Sequence, residues 1–255
     1  MYAEERQQAM ARLVSGRGRQ SVAALAAEYE VTTETIRRDL SMLERLGLVR
    51  RVHGGAVPAG ALSGFEPGLA ERDQERAEAK EKIAVAALAL LPPAGASVVL
   101  DAGSTTVRLA AALPVESRYS VWTHAVPVAA RLATLTGVDL HLLPGRVRST
   151  TQAAVGPDTV AALGHLRVDL AVVGTNAVSR AHGLSTPDAD EAATKRAMVH
   201  CARQVVVLAD ATKIGEENTV RFATLAEVDV LVTDTDLRPE DRGDLERAGI
   251  EVVVA

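Results

Sequence analysis

The run Val98-Val99-Leu100-Asp101-Ala102-Gly103-Ser104-Thr105-Thr106 sets a β-branched strand, a glycine turn and three hydroxyl residues directly before a helical pattern. That order suits an anion. A helix start offers N–H groups without intrahelical partners at the positive end of its dipole. Gly103 permits close approach of the backbone, and Ser104, Thr105 and Thr106 add hydroxyl donors. Asp101, at the carboxyl end of the strand, stands where open α/β sheets bind ligands and could accept bonds from sugar hydroxyls. An ordinary capped strand-to-helix turn uses the same residues. No Gly-Lys-Ser/Thr closes the loop, so it is not a Walker nucleotide loop.

Polar clusters recur at other strand ends: Thr123-His124, Pro144-Gly145-Arg146-Val147-Arg148, Gly174-Thr175-Asn176 and Asp210-Ala211-Thr212-Lys213. Gathered on one rim they predict a single pocket, with Arg146, Arg148 and Lys213 balancing the charge of a phosphate. The competing reading is of surface cations near loops. Metal chemistry has little to draw on, because the six histidines (53, 124, 141, 165, 182, 200) show no ligand spacing. Cys201 reads as a helix residue in the core. The residues call for no cofactor and no metal.

A second chemistry lies near the N-terminus. At 100° per residue, Ile36, Leu40 and Leu43 share one helix face, leaving Glu34, Arg37, Arg38, Ser41 and Arg45 on the open one. A short helix, a turn of about four residues and a second helix with outward arginines form a helix-turn-helix, whose second helix fits a DNA major groove. Thr32 is the expected N-cap. Thr33, Thr35 and Arg37 are best placed for base edges, and Arg38 and Arg45 for phosphates. Arg50, Arg51 and His53, before Gly54-Gly55, would form a wing along the backbone. Periodicity alone serves a solvated face with a local ion pair among Arg37, Arg38 and Asp39 equally well.

The elements that must position these residues follow from pattern. Of 255 residues, 47% are hydrophobic and 24% charged, enough for a substantial core. The net charge of -5 hides an asymmetry, since residues 1–57 carry nine arginines against seven carboxylates while the remainder is net -7. Residues 1–57 read as three short helices and a strand, the first helix ending at Gly16. Residues 58–68, with Pro58, Gly60, Gly64, Pro67 and Gly68, read as a linker. The body, 69–255, opens on one long helix closed by Pro92-Pro93. Strands follow near 97–100, 119–123, 139–143, 169–173, 205–209, 228–233 and 251–254, alternating with helices. That alternation predicts a mostly parallel, Rossmann-like α/β sheet covered on both faces. The longest apolar run, nine residues from Ile83, is too short to span a membrane, which takes roughly 20. No secretion signal opens the chain and one cysteine fits a reducing compartment, so a cytoplasmic location is expected. Six aromatic residues leave little for base stacking on single-stranded RNA.

Two segments carry a family resemblance. Val31-Thr32-Thr33-Glu34-Thr35-Ile36-Arg37-Arg38-Asp39-Leu40, followed by the stretch from Leu43 to Arg50-Arg51-Val52-His53-Gly54-Gly55-Ala56, resembles the signature of DeoR-type bacterial transcriptional regulators. The resemblance implies a winged helix-turn-helix at the N-terminus. Asp101 to Thr106, Gly183-Leu184-Ser185-Thr186 with Glu191 and Lys195-Arg196, and Leu208 to Lys213 are similar to that family's sensor domain. This implies a fold like ribose-5-phosphate isomerases and CoA transferases, and a phosphorylated sugar as effector. The chain departs from the family pattern at Ser104, at His124-Ala125 and at Pro144. The stretch from His124 through Arg146 resembles members linked to fructose uptake in actinobacteria, which points to fructose 1-phosphate. Double-stranded operator DNA and a second copy of the chain are the expected partners, because paired half-sites need paired heads. An isomerase reading stands beside this one: Glu191, Asp210 and Lys213 could supply a base and an electrophile for proton transfer. The fused head favours sensing over turnover.

Overall fold

The computed structural model describes residues 3–18, 20–52, 54–58 and 68–255, in two compact units, Met1–Pro67 and Gly68–Ala255. His53 and, apart from Pro58 and Gly68, the linker expected at 58–68 lie outside the described residues.

The first unit runs α1 (Ala3–Arg17), β1 (Gln20–Ser21), α2 (Val22–Glu28), α3 (Thr33–Arg45), β2 (Val49–Val52) and β3 (Gly55–Pro58). Helix α1 passes through Gly16, one residue beyond its expected end. Hydroxyls cap the next two helices: Ser21 accepts from the Ala24 amide at 3.0 Å and Thr32 from the Thr35 amide at 3.2 Å. Met10, Val14, Leu25, Ile36, Leu40, Leu43 and Val49 make the core. The two glycines of the wing have separate reasons. Gly54 turns the hairpin at φ +70°, whereas a Cβ on Gly55 would stand 2.1 Å from the Gln20 carbonyl oxygen where β1 pairs with β3.

The second unit opens on α4 (Leu69–Gln74) and α5 (Ala77–Leu88). The single long helix expected here is therefore corrected to two. Arg76 takes a left-handed conformation, φ +51°, that costs a non-glycine residue about 1–2 kcal/mol. Its guanidinium bonds Asp234 at 2.9 Å and Asp236 at 2.6 Å, offsetting that cost. Next come β4 (Ser97–Leu100), α6 (Ser104–Ala112), β5 (Tyr119–Thr123), α7 (Val126–Leu132) and β6 (Val138–Leu142). A small antiparallel pair, β7 (Arg146–Arg148) and β8 (Ala153–Val155), precedes α8 (Pro157–Gly164) and β9 (Val168–Gly174). The chain continues through β10 (Ala177–Ser179), β11 (Gly183–Thr186), α9 (Ala189–Cys201), β12 (Ala202–Leu208) and β13 (Val220–Ala223). It ends with β14 (Val230–Thr233), α10 (Pro239–Arg247) and β15 (Glu251–Val254).

Seven of these strands form one sheet in the order β15-β14-β12-β9-β4-β5-β6, every pairing parallel. Side chains alternate between two cores. Val98, Leu100, Leu170, Val172, Val206 and Leu208 face α5, α6 and α7, whereas Val99, Ala171, Val173 and Val207 face α8, α9 and α10. Starting at β4, the chain first builds outward to β5 and β6, then returns to add β9 and β12 on the other side. The order thus reverses between β4 and β9, the position at which open α/β sheets bind their ligands. A three-stranded antiparallel sheet, β10-β11-β13, lies apart from the main one. Among the described residues no helix is long and apolar enough to cross a membrane.

Candidate functional site

In the first unit, α3 presents two surfaces. Ile36, Asp39, Leu40 and Leu43 are buried, and Thr33, Glu34, Arg37, Arg38 and Arg45 are exposed. Arg37 and Arg38 both lean toward Glu34, at 3.6 and 3.9 Å, with more than half of each side chain open to solvent. Such pairs are worth little and yield readily to a polyanion. Thr32 and Thr35 are tied to one another, their hydroxyls 2.9 Å apart. Ser41 donates to the Arg37 carbonyl at 2.7 Å and accepts from Arg51 at 2.8 Å, and the Arg51 amide donates to Glu44 at 2.8 Å. The wing is thus fastened to the recognition helix through Arg51. Arg50 is half-buried.

Asp39 corrects the reading of an exposed local ion pair. It is buried, accepting from Arg6 Nε at 2.6 Å and from Gln7 Nε2 at 2.7 Å, both on α1. The signal lay in the helical spacing, which sets Asp39 beside Leu40 and Leu43 on the inward stripe. Asp39 fixes how α3 sits on α1, and hence how far its outer face projects.

In the second unit the switch point between β4 and β9 holds a buried charge network. Asp101 follows β4 and is fully enclosed. One oxygen accepts from the Gly174 amide at 2.8 Å and from the Lys195 ammonium. The other lies 3.0 Å from His124 Nε2. Lys195 donates also to the Gly174 carbonyl at 3.1 Å, closing β9 onto β4. Burial by itself would raise the Asp101 carboxyl; the Lys195 ammonium and His124 outweigh it and hold the group well below the usual carboxylate range. His124 Nδ1, 2.7 Å from the Ala154 carbonyl oxygen, must carry a proton. Its Nε2 accepts from the Ala102 amide at 3.1 Å when the ring is neutral, and donates to Asp101 when it is protonated.

One turn earlier on α9, Glu191 is buried against Arg148, which reaches Asp188 at 3.4 Å as well. Asp101, His124, Lys195, Glu191 and Arg148 thus meet on the α9 side of the sheet. On the α5 side, Asp210 lies 3.9 Å from Arg76 and caps the short turn that carries Lys213. Helix α6 starts on this same side. Gly103 has φ +145°, no side chain caps the helix, and Ser104 and Thr105 make no side-chain hydrogen bond within the described residues. Thr106 spends its hydroxyl on the Gly103 carbonyl at 2.9 Å. Asn176, after β9, is half-exposed and makes no hydrogen bond among the described residues.

Three expected ligand residues are used otherwise. Thr123 is buried, its hydroxyl accepting from the Ala125 amide at 3.2 Å. Gly145 is glycine for packing, since a Cβ would stand 2.2 Å from Thr159 Oγ1. Arg146 forms an open surface pair with Asp190 at 2.9 Å. Among the described residues no group of three or more His, Cys, Asp or Glu side chains is placed to hold a metal ion.

Comparison with known proteins settles the kind of molecule. The DeoR-like helix-turn-helix domain matches residues 6–59, and the DeoR C-terminal sensor domain matches residues 75–235. This chain belongs to the DeoR family of transcriptional regulators. The HTH-type transcriptional regulator GlpR of Haloferax volcanii is 36% identical over 99% of this chain and 98% of its own. The glycerol-3-phosphate regulon repressor of Haemophilus influenzae is 32% identical over 89% and 88%. Among solved structures, ribose 5-phosphate isomerase A of Methanocaldococcus jannaschii aligns with 55% of each chain, at 17% identity and a TM-score of 0.41. The DeoR-family regulator is thus a DNA-binding transcription factor, and the isomerase reading of Glu191, Asp210 and Lys213 gives way.

Sequence reasoning missed Arg76 and Lys80 in this regulator. Lys80 was legible: it precedes Ile83, Ala84 and Ala87 by three, four and seven residues, and so belongs to the buried stripe of α5. Arg76 was not, because nothing in the sequence marks the helix break that turns it toward Asp234.

Proposed function

We propose that this DeoR-family regulator is a repressor that binds its operator as a homo-oligomer in the cytoplasm and is controlled by a sugar phosphate. In this reading α3 enters the major groove. Thr33, Thr35 and Arg37 meet base edges, while Arg38, Arg45, Arg50 and Arg51 meet phosphates. The effector lies at the carboxyl ends of β4 and β9, with its phosphate on the amides and hydroxyls that open α6. Asn176 and Lys213 complete the rim. Asp101, enclosed and with both oxygens engaged, holds the floor through Lys195 and does not meet the sugar directly.

One observation carries this reading. At the reversal of strand order a helix begins with no cap of its own, and two hydroxyls beside it make no side-chain hydrogen bond within the described residues. Such a start is complementary to a dianion. Fructose 1-phosphate is the first candidate, and glycerol 3-phosphate the second, after the regulon named for the relative from Haemophilus influenzae. Trp122, the chain's one tryptophan, stacks on His141 at 4.6 Å just before Thr123 and serves as a fluorescent reporter. Titration with each phosphate should give saturable binding, and the matching free sugar or glycerol should bind at least about tenfold more weakly. Thr105→Ala should weaken the phosphate alone. Equal potency of fructose and fructose 1-phosphate would sink the proposal.

A further inference from the structure

Strand β6 is one edge of the main sheet, and among the described residues no further strand pairs with its outer side. An open edge is a row of unpaired backbone groups, and proteins commonly guard one with lysine, proline or a bulge. Val138-Asp139-Leu140-His141-Leu142 holds neither lysine nor proline, and its register with β5 runs without interruption. Leu142 stands on this edge 58% exposed. Such an edge is suited to receive another strand.

The backbone fixes which groups face outward. The Leu143 amide bonds the Thr123 carbonyl at 2.8 Å, and alternate residues of a strand turn their backbone groups to the same neighbour. Asp139 and His141 therefore face β5, whereas Val138, Leu140 and Leu142 turn their amides and carbonyls outward. The Val138 amide is taken by the Leu135 carbonyl at 3.2 Å, and the other outward groups have no partner among the described residues. Side chains alternate as well. Val138 and Leu140 pack on the core beneath α7, and Leu142 shares their face. Asp139 and His141 lie on the opposite face, where His141 stacks on Trp122 at 4.6 Å.

A second copy of the same strand answers each of these features. In an antiparallel pairing with Leu140 opposite Leu140, those two residues exchange amide-to-carbonyl bonds, and the Leu142 amide of each copy reaches the Val138 carbonyl of the other. On one face Leu142 meets Val138 of the second copy, and on the other Asp139 meets His141 of the second copy. The strand is complementary to itself in apolar contact and in charge. Sliding by two residues sets Asp139 against Asp139 or His141 against His141, and a slip of one sets outward groups against inward ones. One register remains. The other edge, β15, holds a single charge, Glu251, and no cation to answer it.

We propose that β6 is the sensor-unit interface of a two-fold homodimer, joining two seven-stranded sheets edge to edge with Leu140 on the axis. The inference rests on the homo-oligomer reading above and names its surface. The two-fold axis of such a pairing is normal to the sheet, so both copies keep the layer of α5, α6 and α7 on the same side. Helix α4, the first element of the unit, is tied to that layer by Arg108 of α6, which bonds the Asp73 carbonyl at 3.1 Å and its carboxylate at 2.9 Å. Both chains therefore enter their sensor units on one side of the joined sheet, which serves paired half-sites.

The experiment follows self-association of the full chain by sedimentation equilibrium, for the parent, Asp139→Lys/His141→Lys, His141→Asp and Leu142→Asp. Melting followed by Trp122 emission checks that each is folded. Alone, the first variant sets cation against cation and the second anion against anion, so each should dissociate at least about tenfold more readily than the parent. Leu142→Asp sets a carboxylate against Val138 and should act in the same direction. An equimolar mixture of Asp139→Lys/His141→Lys and His141→Asp should recover the parental level or better, because each strand then carries the charges that answer the other. Recovery between chains separates the interface from the Asp139–His141 contact within one strand, at 3.1 Å, which both variants lose. Parental association in any of the three variants, or a mixture that fails to recover, overturns the inference and leaves the homo-oligomer reading standing. A parent that stays monomeric at every concentration overturns both.

Discussion

Replacing Lys195 by methionine removes the cation beneath Asp101 and keeps the packing of its stem. Asp101 would stay enclosed with the Gly174 amide at 2.8 Å and His124 at 3.0 Å, two of its three present partners. Removing one member of a buried ion pair costs about 3–5 kcal/mol. The surviving bonds place this case at the lower end, about 3 kcal/mol. Asp101→Asn strands an ammonium that keeps the Gly174 carbonyl, so it should cost less, about 2 kcal/mol. The double variant leaves no unpaired charge and should lose no more than about 2 kcal/mol, giving a coupling of about 3 kcal/mol. Trp122 makes the assay selective, because the first unit has no tryptophan and urea unfolding followed by its emission reports the sensor unit alone. The pH dependence has a definite sign. Asp101 is depressed in the folded state, so its stabilisation is present above the unfolded value of about 4 and is lost as pH falls below it. The double variant should lack that acid-sensitive component. A cost below about 1 kcal/mol for Lys195→Met, or additive single costs, would refute the description of the switch point as one charge network.

Other consequences are open to direct measurement. Asp39→Ala strands Arg6 and Gln7 inside the head and should lower operator affinity at least tenfold although Asp39 is buried, whereas sugar-phosphate binding stays at the parental value; unchanged operator affinity counts against the positioning role. Glu30 holds φ +53° in the turn before α3, so Glu30→Gly should raise the melting point of the head by relieving about 0.5–1 kcal/mol, and a drop would show that the turn needs its side chain. Arg37→Ala should cost about 1–3 kcal/mol at one operator position and relax preference there, whereas Arg50→Ala should weaken all sequences alike and make the salt slope shallower by about one; identical profiles would mean that neither reads sequence. Lys80 binds its proton less tightly when folded, so between pH 8 and about 10.5 the sensor unit should gain stability with rising pH, and Lys80→Met should not.

What was legible in the sequence follows period and contact range. The central strands of the parallel sheet carry apolar, valine-rich stretches, as at 170–173 and 205–208, because burial on both faces demands them. The helix that offers Arg37 and Arg38 to solvent was equally open, its apolar residues falling on one 3.6-residue stripe. The strands of three or four residues at 146–148, 177–179 and 220–223 were missed, being too short to alternate visibly. At the rim, the strand-end rule found Asp101 and the opening of α6, but not which side of the sheet each residue would face. Asp101 turns toward α9, where Lys195 encloses it, and Asp210 turns toward α5. A reversal of strand order depends on long-range pairing, as does the Arg76 bend that is anchored 158 residues away. No local pattern records either.

The most direct test of an effector-controlled repressor is a mobility-shift titration of the full chain on the DNA upstream of its own gene. It is run with fructose 1-phosphate, glycerol 3-phosphate, fructose and glycerol, for the parent and Thr105→Ala. One phosphate should change parental operator affinity by at least about fivefold, with its unphosphorylated counterpart inert and Thr105→Ala binding DNA but unresponsive. Operator binding that is indifferent to both phosphates, or a response of Thr105→Ala equal to that of the parent, would contradict it.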